Sequence, residues 1–232
     1  MGFFTEGVHH FIKTLELVMP LNLYFFVKKY SMITTTKEVK KMRNPKVYTL
    51  EEYLRREEKA VEKHEFYNGK IVRKPSVNVY RSSISVNICT AIHLALRPFS
   101  NPFHIYDSSL KIYVEPINTT VYPTSIMVSE EPEFWQDRRD VIVNPLLIVE
   151  VLSPSSQAYD RLGKFEFYKL LPSFQEYVLI NTDKHSVETR FQEEPNLWRI
   201  KTETDIDNSI NIRSLGITIS MADIYENVVF PV

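Results

Sequence analysis

Leu146–Leu152 (LLIVEVL) is a continuous apolar run interrupted by one carboxylate, Glu150. A short run of this kind suits a strand covered on both faces. A helical pattern follows over 158–171, and a second apolar segment, Tyr177–Ile180, comes after it. Strand, helix and strand at this spacing form a βαβ unit, for which parallel strands and a right-handed crossover are expected. The chain is therefore expected to be an α/β protein.

On the N-terminal side of this unit, Ile84, Ile88, Ala91, Ile92 and Ala95 recur at helical spacing, which predicts a helix over Ser82–Leu96 ended by Pro98. His93 lies off that stripe. Strand-like runs follow at His104–Tyr106, Leu110–Val114 and Ser125–Ser129, then a polar loop over 130–144 anchored by Phe134 and Trp135. Further upstream, Thr49-x-x-Glu52 is a capping-box pattern opening a helix over 50–62. Glu65–Arg73 (EFYNGKIVR) is expected to be a hairpin turning at Asn68-Gly69. On the C-terminal side, strands are expected at Val187–Phe191 and Leu197–Ile200, and Ser220-x-x-Asp223 is expected to cap a short closing helix.

The 232 residues are 44% hydrophobic and 25% charged, enough for one domain with a sizeable core. A net charge of -1 lacks the basic excess usual in nucleic-acid binders, although a local basic groove is compatible with it. The single cysteine, Cys89, excludes an internal disulfide and suits a reducing, cytoplasmic setting. None of the five glycines builds a phosphate loop or a dinucleotide fingerprint. Residues 1–31 read as an N-terminal extension. Its apolar stretch FIKTLELVMPLNLYFFVKK is broken by Lys13, Glu16 and Pro20, too often for a membrane span. The change at Met32 into the polar run ITTTKEVKKMRN is what an upstream extension ahead of a true start at Met32 would give. An interfacial or partner-binding helix is the other reading. Residues 32–46 form a polar linker, and 47–232 form the folded domain.

Glu150 is the most informative residue. A carboxylate in a buried strand must be paired, protonated or metal-bound, and the strand pattern alone does not choose between a salt bridge and a functional role. Asp160, Lys164, Phe167 and Leu171 share one helical stripe. Lys164 thus either snorkels, pairs with Asp160, or brings a cation to Glu150. Glu65 matters only where the hairpin packs near Glu150. The serines of Ser153-Pro154-Ser155-Ser156 serve most simply as helix caps, since no G-x-S-x-G elbow surrounds them.

The order EFYNG, helix, VYPTSIMV, NPLLIVEVLSPSS and YDRLGKFEFYKLLPSFQEYVLI, from about Val47 to Val228, resembles the Uma2 family. That resemblance implies a restriction-endonuclease-like PD-(D/E)-x-K fold, a mixed β-sheet flanked by helices, here with a C-terminal β-rich segment. It implies an endonuclease hydrolysing DNA phosphodiesters with Mg²⁺ or Mn²⁺. Glu150 would be a metal ligand and, with Lys164 and Glu65, a catalytic residue, the lysine stabilising charge on phosphate. A homodimer is plausible by analogy only.

Three positions depart from the family pattern. The metal-binding aspartate of the Pro-Asp pair falls on Thr124, a commonly acidic position falls on Ser109, and a frequent histidine falls on Arg81. Asp107 is a candidate substitute ligand, but two extended residues span roughly 6–7 Å, so weak metal binding is expected. Arg73, Lys74, Arg81 and Lys111 are the candidate DNA contacts. A non-catalytic DNA-binding relative and a protein-interaction module are the alternatives to an impaired endonuclease.

Overall fold

The computed structural model describes residues 46–74, 78–99, 103–154 and 156–230. The extension over 1–31, the rest of the linker and Ser155 lie outside the described residues. Val47–Val232 form one compact unit.

Helix α1 spans Leu50–Glu57 and opens with the complete capping box, Thr49 accepting from the Glu52 N–H and Glu52 accepting from the Thr49 N–H. It ends five residues before the expected 62. Beyond Leu54 no apolar residue continues the buried stripe, and the Glu57 carboxylate instead accepts from the His64 N–H at 2.8 Å. Strands β1 (His64–Tyr67) and β2 (Lys70–Arg73) pair antiparallel around Asn68 and Gly69, both at positive φ. Gly69 has φ +92°, and a Cβ there would lie 2.6 Å from Val47 Cγ1. Gly69→Ala should lower stability by about 1–2 kcal/mol. Urea unfolding measures this, and an unchanged midpoint would mean that the turn relaxes without strain.

Helix α2 runs Val79–Leu96, starting three residues earlier than expected because Asn78 caps it by accepting from the Arg81 N–H. Ile84, Ile88 and Ile92 are fully buried, while His93 is exposed as its off-stripe position predicts. Strands β3 (Phe103–Asp107), β4 (Lys111–Val114), β5 (Thr119–Val121), β6 (Ser125–Ser129), β7 (Val141–Ile142) and β8 (Leu147–Val151) follow. The loop between β6 and β7 is held as expected: Phe134 bridges Ile142, and Trp135 packs edge-on to Tyr113. After β8 the chain makes a π-helical turn, Tyr159–Lys164, then one α-turn, α3 (Phe165–Tyr168). Strands β9 (Glu176–Ile180), β10 (Val187–Glu194), β11 (Leu197–Glu203), β12 (Ser209–Ile212) and β13 (Ile217–Ser220) complete the sheets, and α4 (Met221–Ile224) closes the chain behind its Ser220 cap.

The architecture is α/β, and the strands of the described residues form three sheets. The larger sheet has the order β11-β10-β9-β8-β6-β3, with β8 and β9 parallel as the βαβ reading requires. A second sheet has the order β2-β1-β5-β4-β7, and β12 and β13 form a hairpin. One face of the larger sheet, through Met127, Leu147, Val149 and Val151, packs on α2 and on the β12–β13 hairpin. The smaller sheet packs Phe66 and Tyr113 on α1. Tyr122-Pro123-Thr124 carries the chain from β5 in one sheet to β6 in the other. That crossing brings Glu65 of β1 towards Glu150 of β8.

Candidate functional site

Successive residues of β8 point to opposite faces. Val149 and Val151 face α2, so Glu150 is turned away from that core, fully buried. Four donors surround its carboxylate. Oε1 accepts from Lys164 Nζ at 2.8 Å and from the Tyr168 hydroxyl at 3.4 Å. Oε2 accepts from Thr124 Oγ1 at 3.2 Å and lies 3.6 Å from an Arg81 guanidinium nitrogen.

Lys164 reaches this point because the π-helical turn buries Asp160, Gly163 and Lys164 together. A π turn inside a helix shifts the side chains that follow it and recurs at functional sites. The ammonium lies 3.1 Å from Asp160 Oδ1 and 3.6 Å from Glu65 Oε1. Burial works against its charge, but Asp160, Glu150 and Glu65 outweigh burial and hold it well above the ordinary lysine range. Asp160 Oδ2 has no hydrogen-bond partner among the described residues.

Glu65 is held from β1. Its Oε1 accepts from the Tyr122 N–H at 3.1 Å, and its Oε2 accepts from the Tyr67 hydroxyl, which meets the Tyr159 hydroxyl at 2.6 Å. Burial alone would raise its carboxyl, yet Lys164, Lys74 and these hydrogen bonds bring it below the ordinary glutamate value. Lys74 donates to the Tyr122 carbonyl and lies 4.0 Å from Glu65. Burial, reinforced by Lys164, pulls the Lys74 ammonium down to about 8.

The structure thus brings together Glu65, Thr124, Glu150 and Lys164 from segments far apart in sequence, and adds Lys74 and Arg81. The other expected positions lie elsewhere. Asp107 pairs with Ser125, which pairs with Val149, so its side chain projects to the face opposite Glu150. It binds the N–H and hydroxyl of Ser109 at 2.8 and 2.5 Å. Asp107 is therefore not a substitute ligand, and Ser109 is occupied with Asp107. Lys111 is 5% exposed and paired with Asp140 at 2.6 Å, which removes it from any surface that could meet DNA. Arg73 is on the surface, in an ion pair with Glu62. Three tyrosines of the site, Tyr67, Tyr159 and Tyr168, were not singled out from the sequence. Tyr67 is two residues from Glu65 on one strand and so shares its face, a readable signal. Tyr168 lies four residues after Lys164 and so shares its helical face, while Tyr159 opens the π turn itself.

A divalent ion of the magnesium kind seeks hard oxygen donors carrying net negative charge. The residues present do not fit one. Glu65, Glu150 and Asp160 are matched by Lys74, Arg81 and Lys164 at ion-pair distances. A carboxylate offers about four lone-pair directions; Lys164, Tyr168 and Thr124 take three on Glu150, and Arg81 stands 3.6 Å away as an ion-pair partner. Thr124 Oγ1 gives its proton to Glu150 and accepts from the Val151 N–H at 3.0 Å and from Arg81 at 3.5 Å. Its lone pairs are spoken for as well. Among the described residues no group of three or more His, Cys, Asp or Glu side chains is placed to hold a metal.

A mixed sheet, a glutamate on its central parallel strand and a lysine from the following helical turn define a restriction-endonuclease-like protein. The family model described as "Putative restriction endonuclease", Uma2, matches residues 50–222, and the chain belongs to the Uma2 family. Two uncharacterized proteins of Synechocystis sp. are similar. One is 33% identical over 143 residues, covering 62% of this chain and 80% of the relative. The other is 33% identical over 185 residues, covering 78% and 92%. A crystal structure of a "putative nuclease" from Anabaena variabilis shares the fold with a TM-score of 0.61 and 18% identity, over 78% of this chain and 99% of that one. No helix among the described residues is long and apolar enough to cross a membrane.

Proposed function

We propose that this chain is built on the scaffold of a divalent-metal-dependent DNA endonuclease and that its own phosphodiesterase activity is impaired at the metal-binding step. The observation that carries this reading is Thr124 in direct contact with Glu150. It stands where the family pattern has an aspartate, and its neutral hydroxyl supplies no charge for a cation. Glu150 and Lys164, the strand acid and the phosphate-facing cation of such a scaffold, remain side by side.

In such a scaffold a divalent ion would lower the pKa of the attacking water and neutralise charge on phosphate, a service for which this chain's residues are not arranged. This chain's own residues would do three things. Lys164 pairs with the fully buried Glu150 at 2.8 Å. Glu65 positions Lys164 from the second sheet. Lys74, 4.0 Å from Glu65 and pulled down to about 8 by burial, adds a second cation to the Glu65 side of the cluster.

The test is nicking of supercoiled DNA in Mg²⁺ or Mn²⁺ by the natural chain, Thr124→Asp, and Thr124→Asp combined with Glu150→Gln. The Thr124→Asp protein should cut about 100-fold faster than the natural chain, because even an outer-shell partner of a metal ligand is worth about 10–100-fold and a ligand at least as much. Glu150→Gln should abolish the gain. Equal cutting by the natural chain and Thr124→Asp would overturn the impairment. Silence from all three folded proteins would overturn the endonuclease scaffold and leave a DNA-binding or protein-interaction role.

A further inference from the structure

Resting on that reading, we infer that Arg81 is a tethered cation standing in for the divalent ion. The side chain enters from the first turn of α2 and meets Glu150 Oε2, whereas Lys164 meets Oε1. It is 8% exposed. One guanidinium nitrogen lies 3.6 Å from Glu150 Oε2 and 3.5 Å from Thr124 Oγ1. Those two oxygens belong to the strand glutamate and to the position of the missing aspartate. A cation bridging them occupies the place where one held by both carboxylates would sit.

Arginine suits this role. It stays charged when buried, it is less strongly hydrated than an ammonium, and here a single guanidinium nitrogen lies near both oxygens. A buried carboxylate left without compensation is costly. Once position 124 is neutral, Glu150 needs only the charge that Lys164 and Arg81 provide. Thr124 completes the exchange by donating to Glu150 and accepting from Val151 and Arg81. The closed site is therefore metal-independent. Thr124→Asp by itself would give Arg81 a second carboxylate to hold, and Arg81 would compete with the ion for both.

The competition can be read without any nuclease assay. Mn²⁺ binding is followed by electron paramagnetic resonance, and thermal melting is recorded with and without Mn²⁺, for the natural chain, Thr124→Asp, and Thr124→Asp with Arg81→Gln. The natural chain should show no saturable Mn²⁺ binding and no Mn²⁺-induced rise in melting temperature. Removing Arg81 from the Thr124→Asp protein should tighten Mn²⁺ binding by about tenfold or more, the range that neighbours of metal ligands control. Equal Mn²⁺ affinity of the single and double variants would overturn the role of Arg81 while leaving the endonuclease scaffold intact. No binding by either folded variant would overturn the scaffold reading and this inference with it. Saturable, Glu150-dependent binding by the natural chain would overturn the claim of metal independence. Should the double variant fail to fold, Arg81→Lys and Arg81→Gln in the natural chain keep the idea testable. A tethered cation predicts that lysine retains most of the melting temperature that glutamine loses, and equal losses would overturn it.

Discussion

Glu150→Ala is expected to lower the stability of the metal-free protein by about 3–5 kcal/mol, the usual effect of breaking a buried ion pair from one side. The variant leaves Arg81 with no partner carboxylate at 3.6 Å and strips Lys164 of its shortest contact. It also leaves the Thr124 and Tyr168 hydroxyls without their acceptor. The sign distinguishes this site from a working metal centre. Where carboxylates are gathered for an absent ion they repel one another, and deleting one relieves the metal-free protein. Here the carboxylate is the hub of a neutral network, and deletion must destabilise. Urea unfolding followed by the fluorescence of Trp135 and Trp198 measures the difference. A variant as stable as the natural chain would mean that the cations around Glu150 have no net hold on it in solution.

Lys164→Met should cost a similar amount, about 3–5 kcal/mol at neutral pH, and its loss should depend on pH. Methionine fills much of the same volume but leaves Glu150, Glu65 and Asp160 without the ammonium they share. In the natural chain Glu65 is held below the ordinary value of 4.5, against its burial, chiefly by Lys164 and then by Lys74. A carboxyl lowered on folding contributes stability that is present above 4.5 and lost as pH falls through the folded-state value. Acidification therefore weakens the natural chain. Without Lys164, burial of Glu65 is opposed by less positive charge, and its carboxyl moves upward. Proton uptake then favours the folded variant, and the penalty should shrink between about pH 7 and about pH 5. Urea titrations at the two pH values give the comparison. A penalty independent of pH would overturn the assignment of Lys164 as the shared counter-ion.

Both effects trace to one strand whose character is plain in the sequence. LLIVEVL announces burial on both faces, and it forms β8 with every residue buried. Asn68-Gly69 announces the hairpin that carries Glu65. The stripe of Asp160, Lys164, Phe167 and Leu171 announces a lysine facing inward, and all four residues are buried. These signals are local, because turn chemistry, capping and periodicity act over a few residues. Strands β5 and β7 escaped such reading because they are three and two residues long. Too short for a period, they exist through their partners. The hairpin β12–β13 was missed although Ile210, Ile212, Ile217 and Ile219 alternate with polar residues and are buried. Its pattern was legible.

The sequence by itself determined the α/β class and the βαβ unit, and it left the pairing of Glu150 with a following lysine as one of three open readings of Lys164. Only the tertiary structure decided which charges meet. Asp107 and Thr124 are close in sequence terms to adjacent strands, yet strand alternation sends Asp107 to the other face. Lys111 and Arg81 both read as surface cations, yet one is drawn to Asp140 and the other to Glu150. Burial makes the difference, because a charge removed from water takes the nearest opposite charge, and which one is nearest is a property of strand register and sheet crossing rather than of local sequence.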